Sequence, residues 1–316
     1  SRILLEDLLI RGTAIALLFA TAVSAQERNT SKRRVCKVVH VFVALCDNRN
    51  QGIVPVPAGL GNGQAPAGNL YWGAMYGVKS FLGKSSEWRE VPGVSERMAA
   101  RAPEILDTAV FYNQRTATWL KASAYDGRNI RDALLAFLAP PPNSATDQPL
   151  LSRLESGPAD LRIYVGHNGL MDFSLTRGRR ARQHRTGVRT PAAVLCCKSR
   201  DYFPAPLAAA GLEALVLTTG LMAPEAYVLE AIVHAWSAGE SGAAVRDAAA
   251  RAYAKYQRCS LAAARRLFTG ATTPPRRSVA SLRCPQAYKR IPLGNGSFAA
   301  YIRQLPLKPE GTAVKC

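Results

Sequence analysis

Two short apolar runs constrain the fold of this chain more than any other feature. The first covers residues 161–165 and is followed by the letters GHNG, and the second covers residues 192–197 and reads AAVLCC. Each run is bounded by proline, glycine or charged residues and is too short for a helix, so both are predicted to be buried parallel strands. A reactive type of residue closes each strand, because His167 follows the first and Cys197 ends the second.

Further strands and helices are predicted to alternate along the rest of the chain. Apolar, β-rich runs bounded by turn-forming residues predict strands over residues 38–46, 117–124 and 212–219. Helices are predicted over residues 70–82 (started by Asn69), 129–138, 201–210, 224–236 and 242–268. This alternation is typical of a parallel sheet with helices on its faces. The expected fold is therefore α/β, a three-layer sandwich with a mainly parallel central sheet.

The two reactive residues predict a thiol-based chemistry. The carboxyl ends of neighbouring parallel strands meet at one edge of a sheet, where ligands bind, so His167 and Cys197 are expected to face each other there. A thiol is mostly protonated at neutral pH, and a nearby imidazole both removes its proton and later protonates the leaving group. Cys197 is predicted as the nucleophile and His167 as its acid–base partner.

This pair of motifs resembles the caspase-like cysteine peptidases, the clan that includes caspases, legumains, separases and gingipains. In that clan a hydrophobic strand ends in His-Gly, and the next strand ends in a small or acidic residue followed by Cys. The resemblance spans residues 38–236 and implies a caspase-like fold, an acyl-enzyme mechanism on a protein or peptide substrate, and no metal or organic cofactor.

The chain departs from the pattern of the clan at two positions. Asn168 stands between His167 and the next glycine, so the backbone amide that the resemblance implies for the oxyanion falls on Gly169. Cys196 occupies the small-or-acidic position, which leaves two thiols open as the nucleophile. We favour Cys197 because the side chains of a strand alternate and the last one meets the cleft.

Three further residues are candidates for a substrate pocket. Asp47 follows the first strand, and members of the clan that cut after basic residues use an acidic pocket residue; the alternative is a turn-forming aspartate. Thr219 ends the strand at residues 212–219 and Glu225 follows it, and their alternative role is helix capping. His184 lies in an arginine-rich insert, where it is a rival acid–base residue or part of a solvated loop.

Other binding functions are not indicated by the sequence. The net charge is +19, from 41 basic and 22 acidic residues, yet the excess is mostly scattered and no nucleic-acid-binding module accompanies it, so no specific nucleic acid is expected. Residues 51–69 are rich in glycine but lack the later residues of a nucleotide-binding loop, and are predicted to be a lid or cleft wall.

The cysteines argue against a metal site and leave disulfides open. The seven cysteines have no C-x-x-C repeat or histidine spacing of the kind that binds zinc. One or two disulfides could form among Cys36, Cys46, Cys259 and Cys284. The second function that the sequence allows is a non-catalytic binding or scaffolding domain in the bacterial envelope, and the Asn168 insertion and the Cys196 substitution are its best support. A cysteine at the end of a buried strand also often serves only the core.

The two ends of the chain differ in composition from its middle. Residues 1–25 are predicted to be a signal peptide, because Arg11 precedes an apolar stretch too short to span a membrane and Val23-Ser24-Ala25 fits a cleavage site. An exported protein, periplasmic or extracellular, without a membrane span is therefore expected. Residues 26–37 and 272–283 read as linkers around a domain at 38–271. Residues 284–316 resemble the start of a bacterial domain family marked by a Leu-Pro-Leu-Lys-Pro motif.

Overall fold

A computed structural model of the chain describes residues 36–98, 102–139, 148–175 and 189–270. These residues build one eight-stranded sheet in the spatial order β2-β3-β4-β1-β5-β6-β7-β8. The strands are β1 Lys37–Ala44, β2 Arg89–Glu90, β3 Ile105–Asn113, β4 Thr118–Tyr125, β5 Leu161–Val165, β6 Thr190–Leu195, β7 Leu212–Thr218 and β8 Phe268–Thr269. The helices are α1 Val78–Lys84, α2 Pro92–Met98, α3 Ile130–Leu138, α4 Leu150–Glu155, α5 Ser199–Tyr202, α6 Pro204–Ala209, α7 Ala226–Ser237, α8 Gly242–Gln257 and α9 Leu261–Leu267.

Five neighbouring strands, β4, β1, β5, β6 and β7, are mutually parallel. Numbered by their position in the chain, these five strands lie in the order 2-1-3-4-5, so the winding reverses between β1 and β5. In doubly wound sheets a crevice forms at such a reversal, beyond the carboxyl ends of the strands. Strands β2, β3 and β8 pair antiparallel at the two flanks, which makes the sheet mixed.

Helices cover both faces of the sheet. The side chains of Val39, Val41 and Val43 pack with α1, α7, α8 and α9 on one face. Phe42 and Ala44 point to the opposite face, where α3 and α6 pack. Because the parallel strands are buried on both sides, their sequences are nearly continuous apolar runs rather than alternating ones. The α/β class with a mainly parallel sheet is thus confirmed, and the layering is that of a three-layer sandwich.

One charged residue interrupts the apolar run of β5, and its contacts explain why. The guanidinium group of Arg162 is buried and donates hydrogen bonds of 2.5 Å and 2.6 Å to the carbonyl oxygens of Ala136 and Ala139, at the end of α3. It also lies 4.9 Å from the centre of the Phe42 ring. Arg162 therefore satisfies carbonyl groups that a helix leaves unpaired at its C-terminus.

Most predicted strands and helices are confirmed within one or two residues of their ends. The helix predicted over residues 201–210 is two short helices, α5 and α6, and the helix predicted over residues 242–268 is two helices, α8 and α9, separated at residues 258–260. The helix predicted from Asn69 over residues 70–82 is wrong for its first half, because the chain forms turns there and α1 begins only at Val78. The Asn69 side chain bonds both the amide and the carbonyl of Cys46, and a Cβ on Gly73 would lie 2.0 Å from the Ala67 carbonyl oxygen. These long-range contacts override the local helical pattern.

The short elements β2, β8, α2 and α4 were not predicted from the sequence, and neither was the long strand β3. Its hairpin partner β4 was predicted, and the two strands pair along their whole length. Asp107, Thr108 and Asn113 make the β3 segment less apolar than the parallel strands.

None of the helices in the described ranges is long and apolar enough to cross a membrane. The predicted signal peptide, His184 and the segment 284–316 lie outside the described residues.

Candidate functional site

The carboxyl edge of the parallel sheet brings the predicted residues of the site to one side of the molecule. Each of β1, β5, β6 and β7 is followed at this edge by a residue that the sequence singled out. They are Asp47, His167, Cys197 and Thr219, in that order. The edge is the one at which open α/β sheets bind ligands.

His167 and Cys197 occupy equivalent positions just beyond the ends of two adjacent strands, β5 and β6. The last paired residues of β5 and β6 are Val165 and Leu195, and the amide of Gly166 continues the ladder with a 3.2 Å bond to the Leu195 carbonyl. His167 and Cys197 each lie two residues beyond this last pair. Adjacent strands are about 4.8 Å apart, so the register alone brings the two backbones side by side. Both residues are buried, with 7% and 6% of their surfaces exposed.

Asn168 links the two strand ends directly. Its side-chain amide donates a 2.7 Å hydrogen bond to the carbonyl of Cys197, and its Oδ1 accepts a 3.1 Å bond from the amide of Leu170. The residue is fully buried. In the sequence Asn168 was a departure from the expected His-Gly pattern, whereas in the structure it joins the loop of His167 to the loop of Cys197.

The ring of His167 is paired with a carboxylate that sequence reasoning missed. Its Nε2 lies 2.7 Å from Oδ2 of Asp172, five residues further along the chain. The carbonyl of His167 accepts a 2.7 Å bond from the Tyr164 hydroxyl, which holds the backbone in place. A carboxylate on one ring nitrogen selects the tautomer and orientation of an imidazole. The sequence signal for it was a lone aspartate in the short polar loop after His167.

The thiol of Cys197 lies against the loop that follows β7. Its Sγ accepts a 3.5 Å bond from the amide of Met222 and lies 3.6 Å from the Met222 carbonyl oxygen. The next residue, Lys198, has a left-handed backbone with φ of 50°. This conformation is uncommon for residues other than glycine, and residues held in it cluster at functional sites.

Two buried hydroxyl groups support the turn that carries Cys197. The Ser199 hydroxyl donates to the Val194 carbonyl at 3.0 Å and accepts a 2.7 Å bond from the amide of Thr218. The Thr218 hydroxyl donates in turn to the carbonyl of Cys196 and accepts a 3.1 Å bond from the amide of Ser199. These bonds tie the end of β6 to β7, so the position of Cys197 is set by the sheet.

Cys196 and Cys197 differ sharply in their surroundings. The side chain of Cys196 is fully buried in the core cluster on the face of α3 and α6, beside residues such as Phe203. Burial raises the pKa of the Cys196 thiol well above its ordinary value, and the neighbouring Cys197 raises it further. Cys196 is therefore a poor nucleophile, since the thiolate is the reactive form.

The amide of Gly169, predicted to hold an oxyanion, has a partner in this conformation. It donates a 3.1 Å hydrogen bond to the carbonyl of His167 within a tight turn. A Cβ on Gly169 would lie 2.9 Å from the ring of Phe173, so only glycine fits here without displacing that ring. Gly169 shapes the turn after His167, and its N–H points into that turn.

The carboxylate of Asp47 is hydrogen-bonded within the segment that follows β1. Its carboxylate accepts hydrogen bonds from the backbone amides of Arg49 and Asn50 and from the side-chain amides of Asn50 and Gln64. Burial raises the pKa of Asp47, but these hydrogen bonds together outweigh it and the pKa is lowered. With 1% of its surface exposed, Asp47 stabilises the turn after β1, which is the alternative role that the sequence allowed.

Thr219 and Glu225, the other pocket candidates, also make internal contacts. The hydroxyl of Thr219 donates a 2.7 Å bond to the carbonyl of Arg266. The carboxylate of Glu225 accepts bonds from the Tyr227 hydroxyl at 2.7 Å and from the Gln257 side chain at 3.1 Å. Burial raises the pKa of Glu225 in spite of these donors. Glu225 also precedes α7 as its N-cap residue, although its side chain makes no capping bond.

The cysteines and acidic residues of the described ranges do not form a metal centre. No group of three or more His, Cys, Asp or Glu side chains within those ranges lies close enough together to hold a metal ion. Cys46 and Cys259 are free thiols, so disulfides that use either of them are not formed, whereas Cys36 is disulfide-bonded.

Comparison with known proteins found no relative for this arrangement. The chain has no significant match among protein-family models, among curated proteins or among solved structures.

Proposed function

We propose that this protein is an exported cysteine endopeptidase-like hydrolase of caspase-like fold, with Cys197 as nucleophile and His167 as general acid–base. One observation carries the proposal: the two residues occupy equivalent positions just beyond adjacent parallel strands, and the histidine is paired with a carboxylate. A nucleophile, a base and a residue that orients the base form the general pattern of covalent hydrolases.

The topology of the sheet supports the same proposal. In chain order, His167 follows the third parallel strand and Cys197 follows the fourth, and these strands are direct neighbours. The resemblance to caspase-like peptidases implies this succession of a strand ending in His and a next strand ending in Cys. The burial of Cys196 supports Cys197 as the reactive thiol of the two.

The proposed reaction proceeds through an acyl-enzyme. The thiol proton of Cys197 passes to His167, and the thiolate attacks the carbonyl carbon of a peptide bond, forming a carbon–sulfur bond. The carbon–nitrogen bond then breaks, and the proton on His167 goes to the leaving amine. Water next gives a proton to His167 as its oxygen attacks the thioester carbonyl. The carbon–sulfur bond then breaks to release the acid, and the proton on His167 returns to the sulfur of Cys197.

The loops around the site favour a polypeptide substrate. Four large apolar side chains are exposed on loops at this edge: Val54, Met75, Met171 and Leu221. Hydrogen bonds join the loops in pairs, since the amide of Gly52 contacts Asp172 and the amide of Ala226 contacts the Tyr76 carbonyl. Exposed apolar residues around a cleft often mark a binding site, and here they would contact the side chains on either side of the cleaved bond.

A non-catalytic binding or scaffolding domain is the second candidate, and two observations favour it. The amide of Gly169 is used within its own turn, and both Cys197 and His167 are more than nine-tenths buried. A relative that kept the sheet and lost the oxyanion donor would have these features. The two candidates differ in the reactivity of the Cys197 thiol.

Alkylation with iodoacetamide tests the proposal on the full chain. Each thiol is located and quantified by mass spectrometry after brief labelling at pH values from ~5 to ~9, a range that brackets the ordinary thiol pKa of about 8.5. Cys259 is free and exposed, so it serves as the reference thiol within the same molecule. The variant His167→Ala removes the base, and His234→Ala, which changes an exposed histidine on α7, is its control.

The proposal predicts that Cys197 is alkylated at pH values where Cys259 is barely labelled. This excess reactivity should disappear in His167→Ala and remain in His234→Ala. Labelling of Cys197 that is slower than that of Cys259 at every pH, and unchanged by His167→Ala, would contradict the catalytic proposal and favour the binding domain.

A further inference from the structure

The carboxylate of Asp172 joins two loops that are distant in sequence. Its Oδ2 lies 2.7 Å from Nε2 of His167 and accepts a 3.3 Å bond from the backbone amide of Gly52. Gly52 belongs to the segment after β1, and His167 follows β5, so the contact closes the sheet edge at the point where the winding of the strands reverses. About a third of the Asp172 side chain is exposed, so the contact lies at the surface of the site.

The backbone after His167 is shaped to return Asp172 to the ring. The Asn168 side chain accepts from the amide of Leu170 and starts the 3₁₀ turn Gly169–Met171. The amides of Asp172 and Phe173 both donate 3.0 Å bonds to the carbonyl of Gly169. The turn therefore positions the backbone of Asp172, while Gly52 and His167 position its carboxylate.

Gly52 approaches Asp172 so closely that a larger residue at position 52 would displace the carboxylate. A Cβ added to Gly52 would lie 2.7 Å from Oδ1 of Asp172 and 3.3 Å from its Cγ. Because the contacted atoms are the end of a side chain, a methyl group there would displace the carboxylate and leave the backbone in place. Gly59, in the same segment, has no atom within 4 Å of an added Cβ.

We infer that Asp172 is the positioning residue of His167, and that Gly52 holds Asp172 in the orientation it needs for this role. A carboxylate can only accept hydrogen bonds, so the proton between the two residues belongs to Nε2 of His167. Nδ1 is then the nitrogen that exchanges a proton with the Cys197 thiol. The inference rests on the proposed function, because it assigns the ring nitrogen that would act in that reaction.

The ring proton can be observed without any reaction at Cys197. In uniformly ¹⁵N-labelled protein, the four histidines are resolved by long-range ¹H–¹⁵N spectra, and His167 is assigned from the signal lost in His167→Gln. The inference predicts a proton on Nε2 of His167 that exchanges slowly with water. This signal should be lost in Asp172→Ala and weakened in Gly52→Ala, but retained in the matched control Gly59→Ala.

Thiol reactivity gives the second readout on the same variants. Asp172→Ala should slow the alkylation of Cys197 about 10- to 100-fold, the size of effect that follows when a metal-binding histidine loses the carboxylate that orients it. Gly52→Ala should cause a smaller loss in the same direction. Glu240→Gln, which removes one exposed negative charge, and Gly59→Ala should alkylate at the wild-type rate. Circular dichroism and urea unfolding verify that each variant is folded.

The outcomes separate this inference from the proposed function. A slowly exchanging Nε2 proton that persists in Asp172→Ala, or a ring protonated on Nδ1 instead, would overturn the inference even if Cys197 proves highly reactive. Ordinary reactivity of Cys197 in the wild type, together with an Nε2 proton that depends on Asp172, would refute the proposed function and leave the positioning contact established.

Discussion

The side-chain amide of Asn168 donates a 2.7 Å hydrogen bond to the carbonyl oxygen of Cys197, across two adjacent strand ends. Asn168 follows His167 directly, so this bond fixes the loop of the proposed base relative to the loop of the proposed nucleophile. Both groups are buried, and a buried carbonyl without a donor is costly. The contact makes the spacing of His167 and Cys197 depend on the one residue that departs from the expected His-Gly pattern.

Replacing Asn168 should therefore affect stability and reactivity together. Asn168→Ala removes the buried hydrogen bond from the Asn168 side chain to the Cys197 carbonyl, so we expect the free energy of unfolding to fall by about 1–3 kcal/mol. Alkylation of Cys197 should slow as well, because the two loops are no longer tied. Urea unfolding and timed alkylation measure the two effects. Asn129→Ala, at an N-cap where the side chain makes no capping bond, should change stability by less than about 0.5 kcal/mol.

The identity of the reactive thiol can be tested by removing Cys196. Its buried position and raised pKa predict that Cys196 is not alkylated in the folded protein and becomes labelled only after unfolding. Cys196→Ala should cost about 1 kcal/mol of stability, as typical substitutions do, and should leave the labelling of Cys197 intact. If the rapid label instead disappears with Cys196, the assignment of the nucleophile to Cys197 is wrong.

The carboxylate of Asp47 should make the free energy of unfolding depend on pH in the acid range. Since its pKa is lowered in the folded state, the unfolded chain takes up the proton first as the pH falls. The stabilisation is present above the unfolded pKa of about 3.9 and is lost as the pH falls through the folded pKa. Asp47→Asn should lower the free energy of unfolding at neutral pH by about 1–3 kcal/mol. Urea titrations of both proteins should converge under acid conditions, and a constant gap would contradict this role.

His40, in the middle of β1, should contribute a second pH dependence. Burial, and then the positive charges of Lys121 and Arg162 on the neighbouring strands, lower the pKa of His40 to about 3. The unfolded imidazole has a pKa of about 6.5 and protonates first. Stability is therefore complete above that pH and falls by about 1.4 kcal/mol for each pH unit towards 3.

The variant His40→Gln isolates this contribution. It removes the titrating group from both states, so the free energy of unfolding measured in urea should vary less between pH ~7 and pH ~5, the window that lies below the unfolded pKa of about 6.5. The matched measurement on the wild type supplies the reference slope. Equal slopes in the two proteins would mean that His40 is protonated in the folded state.

Local residue patterns were sufficient to predict the elements that carry the site. The parallel strands are apolar because helices cover both faces, and this is visible in the sequence of β1, β5, β6 and β7 without knowledge of their partners. Each of the two strands, and the His167 or Cys197 that follows it, could likewise be identified from its own short segment of sequence. Since parallel strands end at a common edge, adjacency of the two residues followed from the alternation of strands and helices.

The contacts that define the site were decided by the tertiary structure. Gly52 and Asp172 are 120 positions apart, and Asn168 and Cys197 are 29 apart. The hydrogen bond from the Gly169 amide to the His167 carbonyl depends on how the loop turns after β5. The hydrogen bonds of Asp47 depend on the packing of the segment after β1. Hydrogen bonds are short and directional, so they follow from the relative placement of loops. The strands, in contrast, could be predicted because the hydrophobic effect is non-directional and depends only on how apolar each segment of the chain is.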